Sequence, residues 1–262
     1  MRFILMNLPG IFRLTYRIPF MLLHLVIGTP VTVLCQGPRS RSIHIAGEPF
    51  AEVLSCWWSR VICRIFGIRR RLVGEFTPGA QLVVANHISW IDIPFLHSFA
   101  AMGFVAKAEI DNWPLFSTVA RAGGSVFHQR GNHDSASGVA AQMISRLQED
   151  RRVAIFPEGG ILPGHGIKLF HARLFAAAIE AGKPVQPVML RYLRDGARYD
   201  DITFLPGENF LVNFMRLLMQ KSCVGEVHVL PLIPSEGRQR RQLAGDSEAA
   251  VRAAFDSEIP GE

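Results

Sequence analysis

Hydrophobic positions follow three different patterns along the chain. From Ile18 to Cys35 (IPFMLLHLVIGTPVTVLC) they form one nearly unbroken run interrupted by Pro19, His24, Gly28 and Pro30. A bilayer-crossing helix needs about 20 such residues. Arginines flank the run on both sides, Arg2, Arg13 and Arg17 before it and Arg39 and Arg41 after it, so the flanking charge selects no orientation. A kinked segment that enters one leaflet and returns would satisfy both flanks; a buried core helix is the simpler alternative, and the sequence leaves open whether 18–35 crosses the bilayer. No small-residue cleavage site follows the run, which argues against a signal peptide. Between Pro49 and Gly67 the pattern becomes helical: Val53, Leu54, Trp57, Trp58, Val61, Ile62, Ile65 and Phe66 recur on one face, and Gly67 is a stop signal. Paired tryptophans beside Arg60 and Arg64 suit a helix lying in a membrane interface. The same stripe suits a core helix equally well.

Beyond Arg70 short β-rich runs alternate with helical periods. Strands are predicted at Arg71–Val73, Gln81–Ala85, Phe104–Ala106, Ser125–His128, Arg152–Phe156, Val185–Arg191 and Glu226–Leu230. Helices are predicted at Ile91–Phe99, Trp113–Arg121, Ser135–Gln148, Phe170–Ala181, Phe210–Met219 and Ser247–Phe255. Such alternation implies an α/β fold, a mixed sheet flanked by helices. Three regions are expected: membrane-associating helices over 1–67, the α/β domain over 68–234, and over 235–262 a polar, mobile tail ending in a short helix.

Charge sharpens this division. The 262 residues are 49% hydrophobic and 19% charged, with a net charge of +6. Residues 1–75 hold ten arginines, no lysine and three acids, whereas the remainder holds eighteen basic and nineteen acidic groups. The excess positive charge thus sits in the most apolar part of the chain. Nucleic-acid binders spread basic residues over a polar face; arginine beside apolar sequence points to anionic lipid headgroups. The four cysteines (Cys35, Cys56, Cys63, Cys223) form no C-x-x-C pair and read as small buried hydrophobes.

In α/β sheets reactive groups gather at the carboxyl ends of strands, and three such ends carry unusual residues. Asn86-His87-Ile88-Ser89-Trp90-Ile91-Asp92 follows the apolar strand. On a straight helix His87 and Asp92 lie about 140° apart, so a strand-to-helix turn must bring them together. An imidazole so placed takes a proton while the carboxylate fixes its tautomer. The same residues also read as a helix cap beside a solvated histidine. Phe156-Pro157-Glu158-Gly159-Gly160 forces a sharp turn with Glu158 at its tip. Gly124-Ser125-Val126-Phe127-His128-Gln129-Arg130 ends in an arginine whose fork suits phosphate or carboxylate; a surface ion pair is the simpler reading.

Together these blocks resemble those of the glycerolipid (lysophospholipid) acyltransferases. NHISWID fits the N-H-x-S-W-x-D block with its H-x4-D core, GSVFHQR fits G-x-x-F-h-x-R, FPEGG begins like F-P-E-G-T, and Val185-Gln186-Pro187-Val188 resembles the fourth, V-P-V-like block. The four occur in the family's order and cover roughly Leu72 to Tyr192. The region around FHARLF, VQPVMLRY and FLPGENF looks most like bacterial 1-acylglycerol-3-phosphate acyltransferases, and lyso-ornithine-lipid acyltransferases share part of that likeness.

The resemblance implies acyl transfer from a thioester, acyl-CoA or acyl-carrier protein, to the free hydroxyl of a lysolipid. The first expected acceptor is 1-acylglycerol-3-phosphate, giving phosphatidate in phospholipid biosynthesis. Lyso-ornithine lipid is the alternative, and a non-catalytic lipid-binding protein of the same fold the reading of a different class. By the resemblance His87 is the general base and Asp92 orients it. Glu158 and Gly159 place the acceptor, and Arg130 holds its phosphate. No cofactor is implied beyond the acyl donor. The expected setting is the cytoplasmic face of a bacterial inner membrane, with no nucleic-acid partner and the oligomeric state left open. At the third block Gly160 and Ile161 stand where the family commonly has Thr-Arg, so one phosphate-binding arginine is missing; Lys168 or Arg173 is expected to substitute, unless the headgroup differs. Clustered His128, His133, His165 and His171 lack the spacing of a zinc site. There is no G-x-S-x-G elbow and no phosphate-binding glycine loop of the nucleotide type.

Overall fold

The computed structural model describes residues 8–107, 118, 121, 123–128, 133–161 and 166–257. Most of the helix expected at Trp113–Arg121 lies outside these residues. All seven expected strands are present. The main sheet runs in the order β3 (Ile68–Val73), β10 (Cys223–Val229), β8 (Val185–Arg194), β4 (Leu82–Ala85), β7 (Val153–Ile155), β5 (Gly103–Lys107), β6 (Val126–His128), and a short β9 (Ala197–Arg198) pairs with β8. Strands β8, β4, β7, β5 and β6 are mutually parallel, while β10 and β3 run parallel to each other and antiparallel to β8. The sheet is therefore mixed, as the α/β reading requires.

Apolar side chains on the two faces form two cores, which makes three layers. One core joins Val83, Ala85, Val188 and Leu190 to Met21, Ile62, Phe95 and Leu217. The other joins Leu82, Val84, Val185 and Met189 to Met143, Phe175, Leu243 and Val251. Strand β4 contributes alternate residues to each, because successive side chains point to opposite faces. It is buried along its whole length, and so suits only apolar residues. At Gly225 of β10 an added Cβ would fall 2.5 Å from the Phe95 ring, so glycine lets the edge of that ring approach the strand.

The N-terminal apolar run does not turn back within itself. Helices α1 (Leu8–Leu23) and α2 (Thr29–Leu34) are joined by a π-helical turn, His24–Gly28, into one helical stretch from Leu8 to Leu34. Pro30 has no N–H to donate, and the wider turn, with Thr29 N–H bonded to His24 O, carries the helix past it. The stretch is long and apolar enough to cross a membrane, with mean hydropathy 1.6 over its best window. Leu8, Phe12, Tyr16, Phe20, Leu23, Ile27, Val31 and Leu34 are exposed at spacings of three and four, which is one continuous apolar stripe.

After a short α3 (Pro38–Ser42) and the hairpin β1 (His44–Ile45) and β2 (Glu48–Pro49), helix α4 (Phe50–Ile65) packs beside this stretch. His24 Nε2 bonds Trp58 O at 3.1 Å, and Trp58 Nε1–H donates to Thr29 Oγ1 at 3.1 Å. The buried face of α4 is Ala51, Ser55, Cys56, Ser59, Ile62, Cys63 and Ile65, so Ile62 and Ile65 of the expected stripe are buried while Trp57 is exposed. The stripe expected from hydrophobicity is thus displaced in part, because small residues let α4 approach α5 (Asp92–His97), where the Ser59 hydroxyl bonds His97 Nδ1. Within residues 8–67, Met21, Ile62, Cys63, Ile65 and Phe66 accordingly share a core with the sheet.

Two elements follow with their expected bounds or nearly so, α6 (His133–Gln148) and α8 (Phe210–Met219); between them α7 (Ala176–Ala181) follows a 3₁₀ turn at Ala172–Phe175. The polar C-terminal region is not a mobile tail. It forms α9 (Arg240–Asp256), capped by Gln239 and Gln242, and it buries Leu243, Ala244, Ser247, Val251 and Phe255 against the sheet. Its six charged residues face solvent or pair with neighbours, and only one side is apolar, which is why the sequence reads as polar throughout.

Candidate active site

Parallel neighbours β4 and β7 pair Val84 with Ile155, so the segments that leave their carboxyl ends emerge side by side. The first carries His87 and the second Phe156–Gly159. The rings of His87 and Phe156 stack at 4.0 Å with 11° between their planes.

The exit from β4 is fixed by Asn86. Its side chain donates to Leu190 O at 2.9 Å and accepts from Leu190 N–H at 2.7 Å, imitating one more ladder pair with β8. The backbone then turns before α5 begins at Asp92. Asp92 Oδ2 accepts from Ile88 N–H at 2.6 Å, Ser89 N–H at 2.9 Å and His87 Nδ1–H at 3.0 Å. Its other oxygen, Oδ1, accepts from the Tyr192 hydroxyl at 2.7 Å. The carboxylate therefore gathers the preceding turn around itself, which brings together two residues that a straight helix would hold apart. It is fully buried, and four donors offset the lost hydration. Because an acid acceptor holds Nδ1–H, the neutral imidazole keeps its lone pair on Nε2.

Glu158 is buried at the tip of the second turn and accepts from the backbone N–H of Lys168 and, at 3.4 Å, from that of His87. Burial pushes its carboxyl up to about 7, partly offset by the Lys168 charge and these N–H groups. Gly159 has φ +77°, which favours glycine, and its N–H turns back to Phe156 O. A Cβ there would meet His171 at 3.4 Å.

A cavity of about 230 Å³ opens over these groups, lined by Asn86, His87, Ile88, Glu158, Lys168, Arg191, Tyr192, Arg198, Tyr199 and the loop 200–206. That loop is tied to the site: Ser89 Oγ–H donates to Ile202 O, and Asn213 of α8 bonds both Trp90 Nε1–H and Thr203 O. A larger polar cavity, about 290 Å³, lies between Glu52, Arg151 and Arg152 at the amino ends of β5 and β7, and none of the motif residues line it.

The structure thus brings together His87, Asp92, Glu158, Gly159 and Lys168. Arg173 is exposed on the 3₁₀ turn and does not line the cavity, so of the two expected substitutes only Lys168 does. Arg130 lies outside the described residues. Tyr192 and Arg191 were not expected as site residues: both lie in β8 beyond the fourth block, and a buried tyrosine or arginine within a strand carries no periodic signal. Among the described residues no cluster of His, Cys, Asp and Glu is placed to hold a metal. Cys63 is no nucleophile, since burial pushes its thiol up to about 12.

An imidazole oriented by a buried carboxylate beside the carboxyl ends of two parallel strands, open to a cavity, is an arrangement with the chemistry to take a proton from a bound hydroxyl. Comparison with known proteins places it. The acyltransferase family model matches residues 70–191. Lyso-ornithine lipid O-acyltransferase of Pseudomonas aeruginosa is 37% identical over 207 residues, 79% of this chain and 80% of its own. The chain belongs to the acyltransferase family. The 1-acyl-sn-glycerol-3-phosphate acyltransferase of Neisseria gonorrhoeae is 36% identical over 115 residues, 44% of this chain and 45% of its own. The fold is that of the 1-acyl-sn-glycerophosphate acyltransferase PlsC of Thermotoga maritima, with TM-score 0.72, 18% identity and coverage of 98% of this chain and 97% of that one.

Proposed function

We propose that this chain acylates the free hydroxyl of a lysolipid, with a thioester, acyl-CoA or acyl-carrier protein, as donor. The observation that carries the chemistry is the His87–Asp92 pair, held at 3.0 Å with Nε2 left to act. His87 Nε2 takes the proton of the acceptor hydroxyl as its oxygen attacks the thioester carbonyl. Asp92 stabilises the imidazolium that forms, and Tyr192 holds Asp92. The tetrahedral intermediate collapses as the C–S bond breaks, and the imidazolium returns the proton to the leaving thiolate. No covalent acyl-enzyme is required. By the family resemblance Glu158 and Gly159 place the acceptor and Arg130 holds a phosphate on it; of these Glu158 lines the cavity.

Lyso-ornithine lipid is the first acceptor to be tried. The relative of that name aligns with most of both chains, and Gly160-Ile161 replaces the Thr-Arg pair that the lysophosphatidate enzymes commonly carry. A second reading, 1-acylglycerol-3-phosphate as acceptor, is favoured by the shorter match to the Neisseria enzyme. Both acceptors and products are bilayer lipids. An enzyme seated in the interface by its exposed N-terminal apolar stripe avoids drawing an acyl chain into water, at about 0.8 kcal/mol per CH₂. The reading places the site on the cytoplasmic side, where acyl thioesters are made. Purified protein given a labelled acyl thioester and separate lysolipids decides between the acceptors. Labelled ornithine lipid or phosphatidate supports the corresponding reading, and no labelled lipid from any acceptor contradicts both.

A further inference from the structure

We propose that Arg191 is a specificity-determining residue that receives the anionic group of the acceptor headgroup, a carboxylate or a phosphate, beside His87. The proposal rests on the lysolipid reading above. It also supplies the cation that the Gly160-Ile161 departure removes.

Arg191 lies opposite Glu226 in the β8–β10 ladder, and its Nε–H donates to Glu226 Oε2 at 2.7 Å. The residue is only 3% exposed, yet its Nη1 is buried with no hydrogen-bond partner among the described residues. A guanidinium keeps its charge when buried, and its N–H groups must be met by acceptors. Glu226 does not satisfy it alone, because that carboxylate is shared: Oε1 accepts from Arg71 at 2.9 Å and Oε2 also contacts His228 Nε2 at 2.9 Å. Two guanidiniums thus face one carboxylate, and the group carries excess positive charge.

Arg191 lines the cavity that His87 lines. Asn86, the residue before His87, is bonded to Leu190, the residue before Arg191, so the two segments lie one strand spacing apart, about 5 Å. An oxyanion held at Arg191 is therefore within a headgroup's length of the imidazole. Lys168 and Arg198 line the same cavity; Arg198 is already engaged, its guanidinium 4.2 Å from the Phe255 ring centre and bonded to Phe255 O. The acids there are Glu158, whose burial favours its neutral form, and the exposed Asp200 and Asp201 on the facing loop. A planar fork with an unmet donor matches a carboxylate or phosphate better than a neutral headgroup.

The test measures equilibrium binding of three lysolipids to the full chain in neutral detergent micelles. They are lyso-ornithine lipid (carboxylate), lysophosphatidate (phosphate) and monoacylglycerol (no anion). Arg191→Met is expected to weaken binding of the anionic acceptor by at least about tenfold and leave monoacylglycerol unchanged. The anionic lipid that shows the loss identifies the source of the oxyanion. Arg191→Lys, which keeps the charge without the fork, retains part of the affinity and serves if the methionine variant does not fold. Glu226→Gln frees the guanidinium and is expected to bind the anion as tightly or more tightly. A merely structural role for Arg191 predicts that Glu226→Gln weakens all three lipids. Unchanged binding of both anionic lipids to a folded Arg191 variant, or equal loss for monoacylglycerol, overturns the proposal. Absence of turnover in the parent protein would contradict the acyltransferase reading instead, and it leaves these binding results readable.

Discussion

The Tyr192 hydroxyl and the His87 imidazole grip opposite oxygens of one carboxylate: Tyr192 donates to Asp92 Oδ1 at 2.7 Å, and His87 donates to Oδ2 at 3.0 Å. Asp92 itself is fully buried, where an unmet acceptor is penalised. Tyr192→Phe removes one donor and keeps the ring. It is expected to lower thermodynamic stability by about 1–3 kcal/mol and turnover by about tenfold, through a less firmly held Asp92. Denaturant melts and steady-state kinetics check both. Turnover equal to the parent's would show that Tyr192 does not position the pair.

Asn86 sets where the histidine leaves the sheet. Asn86→Asp keeps an acceptor for Leu190 N–H but sets a carboxylate against Leu190 O, in place of the donor now bonded there. The expected loss of stability is about 2–4 kcal/mol, as for a buried charge without a full set of partners. Asn86→Ala is expected to be milder, because it leaves the two Leu190 groups unmet without adding a charge. Urea midpoints of the two variants compare them; a stabler aspartate variant would contradict the assigned hydrogen bonds.

Glu158 makes stability depend on pH in a direction opposite to most surface acids. Its folded value, about 7, lies above the ordinary 4.5, so the folded state binds the proton more tightly than the unfolded state. Its stabilising contribution is complete below about pH 4.5 and is lost as pH rises to about 7. The size of the effect is about 3 kcal/mol. Glu158→Gln is expected to flatten that part of the profile. Melting curves between pH 5 and 8 supply the check, about the range in which the shifted carboxyl titrates; a profile unchanged in the variant would mean the carboxyl is ionised throughout.

Membrane attachment is expected to depend on the exposed stripe of α1 and α2, not on the arginines near it. Arg13 and Arg17 are spent on protein carbonyls, Arg13 on Met219 O and Arg17 on Leu218 O and Gln220 O at the end of α8. Phe20→Glu with Ile27→Glu is expected to release the protein from vesicles in flotation, with the melting temperature unchanged because both side chains face outward. Retention on vesicles by the folded double variant would assign attachment to another surface.

How much of this was legible in the sequence depends on the kind of signal. Strands such as β4, apolar at every position, and helices such as α8 announce themselves by pattern, and the motif blocks announced His87, Asp92 and Glu158. The meeting of His87 with Asp92 was readable only as a requirement for a turn; the turn itself depends on Asn86 reaching across to β8, more than a hundred residues away in sequence. Helix α4 was legible in part: Ile62 and Ile65 of its expected stripe are buried, but the rest of its contact face is built from small residues, Ala51, Ser55, Cys56, Ser59 and Cys63, which allow close approach and stand outside the large-hydrophobe pattern. Helix α9 was underestimated because its buried side is narrow. The segment expected to enter one leaflet and return is instead one helical stretch, because a π turn accommodates Pro30 without reversing the chain. Arg191 escaped notice because its meaning lies in an unmet N–H, a property of packing.

The most direct measurement of the central claim is acyl transfer by purified His87→Ala compared with the parent, using labelled thioester and the accepted lysolipid in the same micelles. Removal of the base is expected to lower turnover by about 10²–10⁴-fold with fold and lipid binding retained. A folded His87→Ala protein that transfers acyl groups at the parent rate would contradict the account.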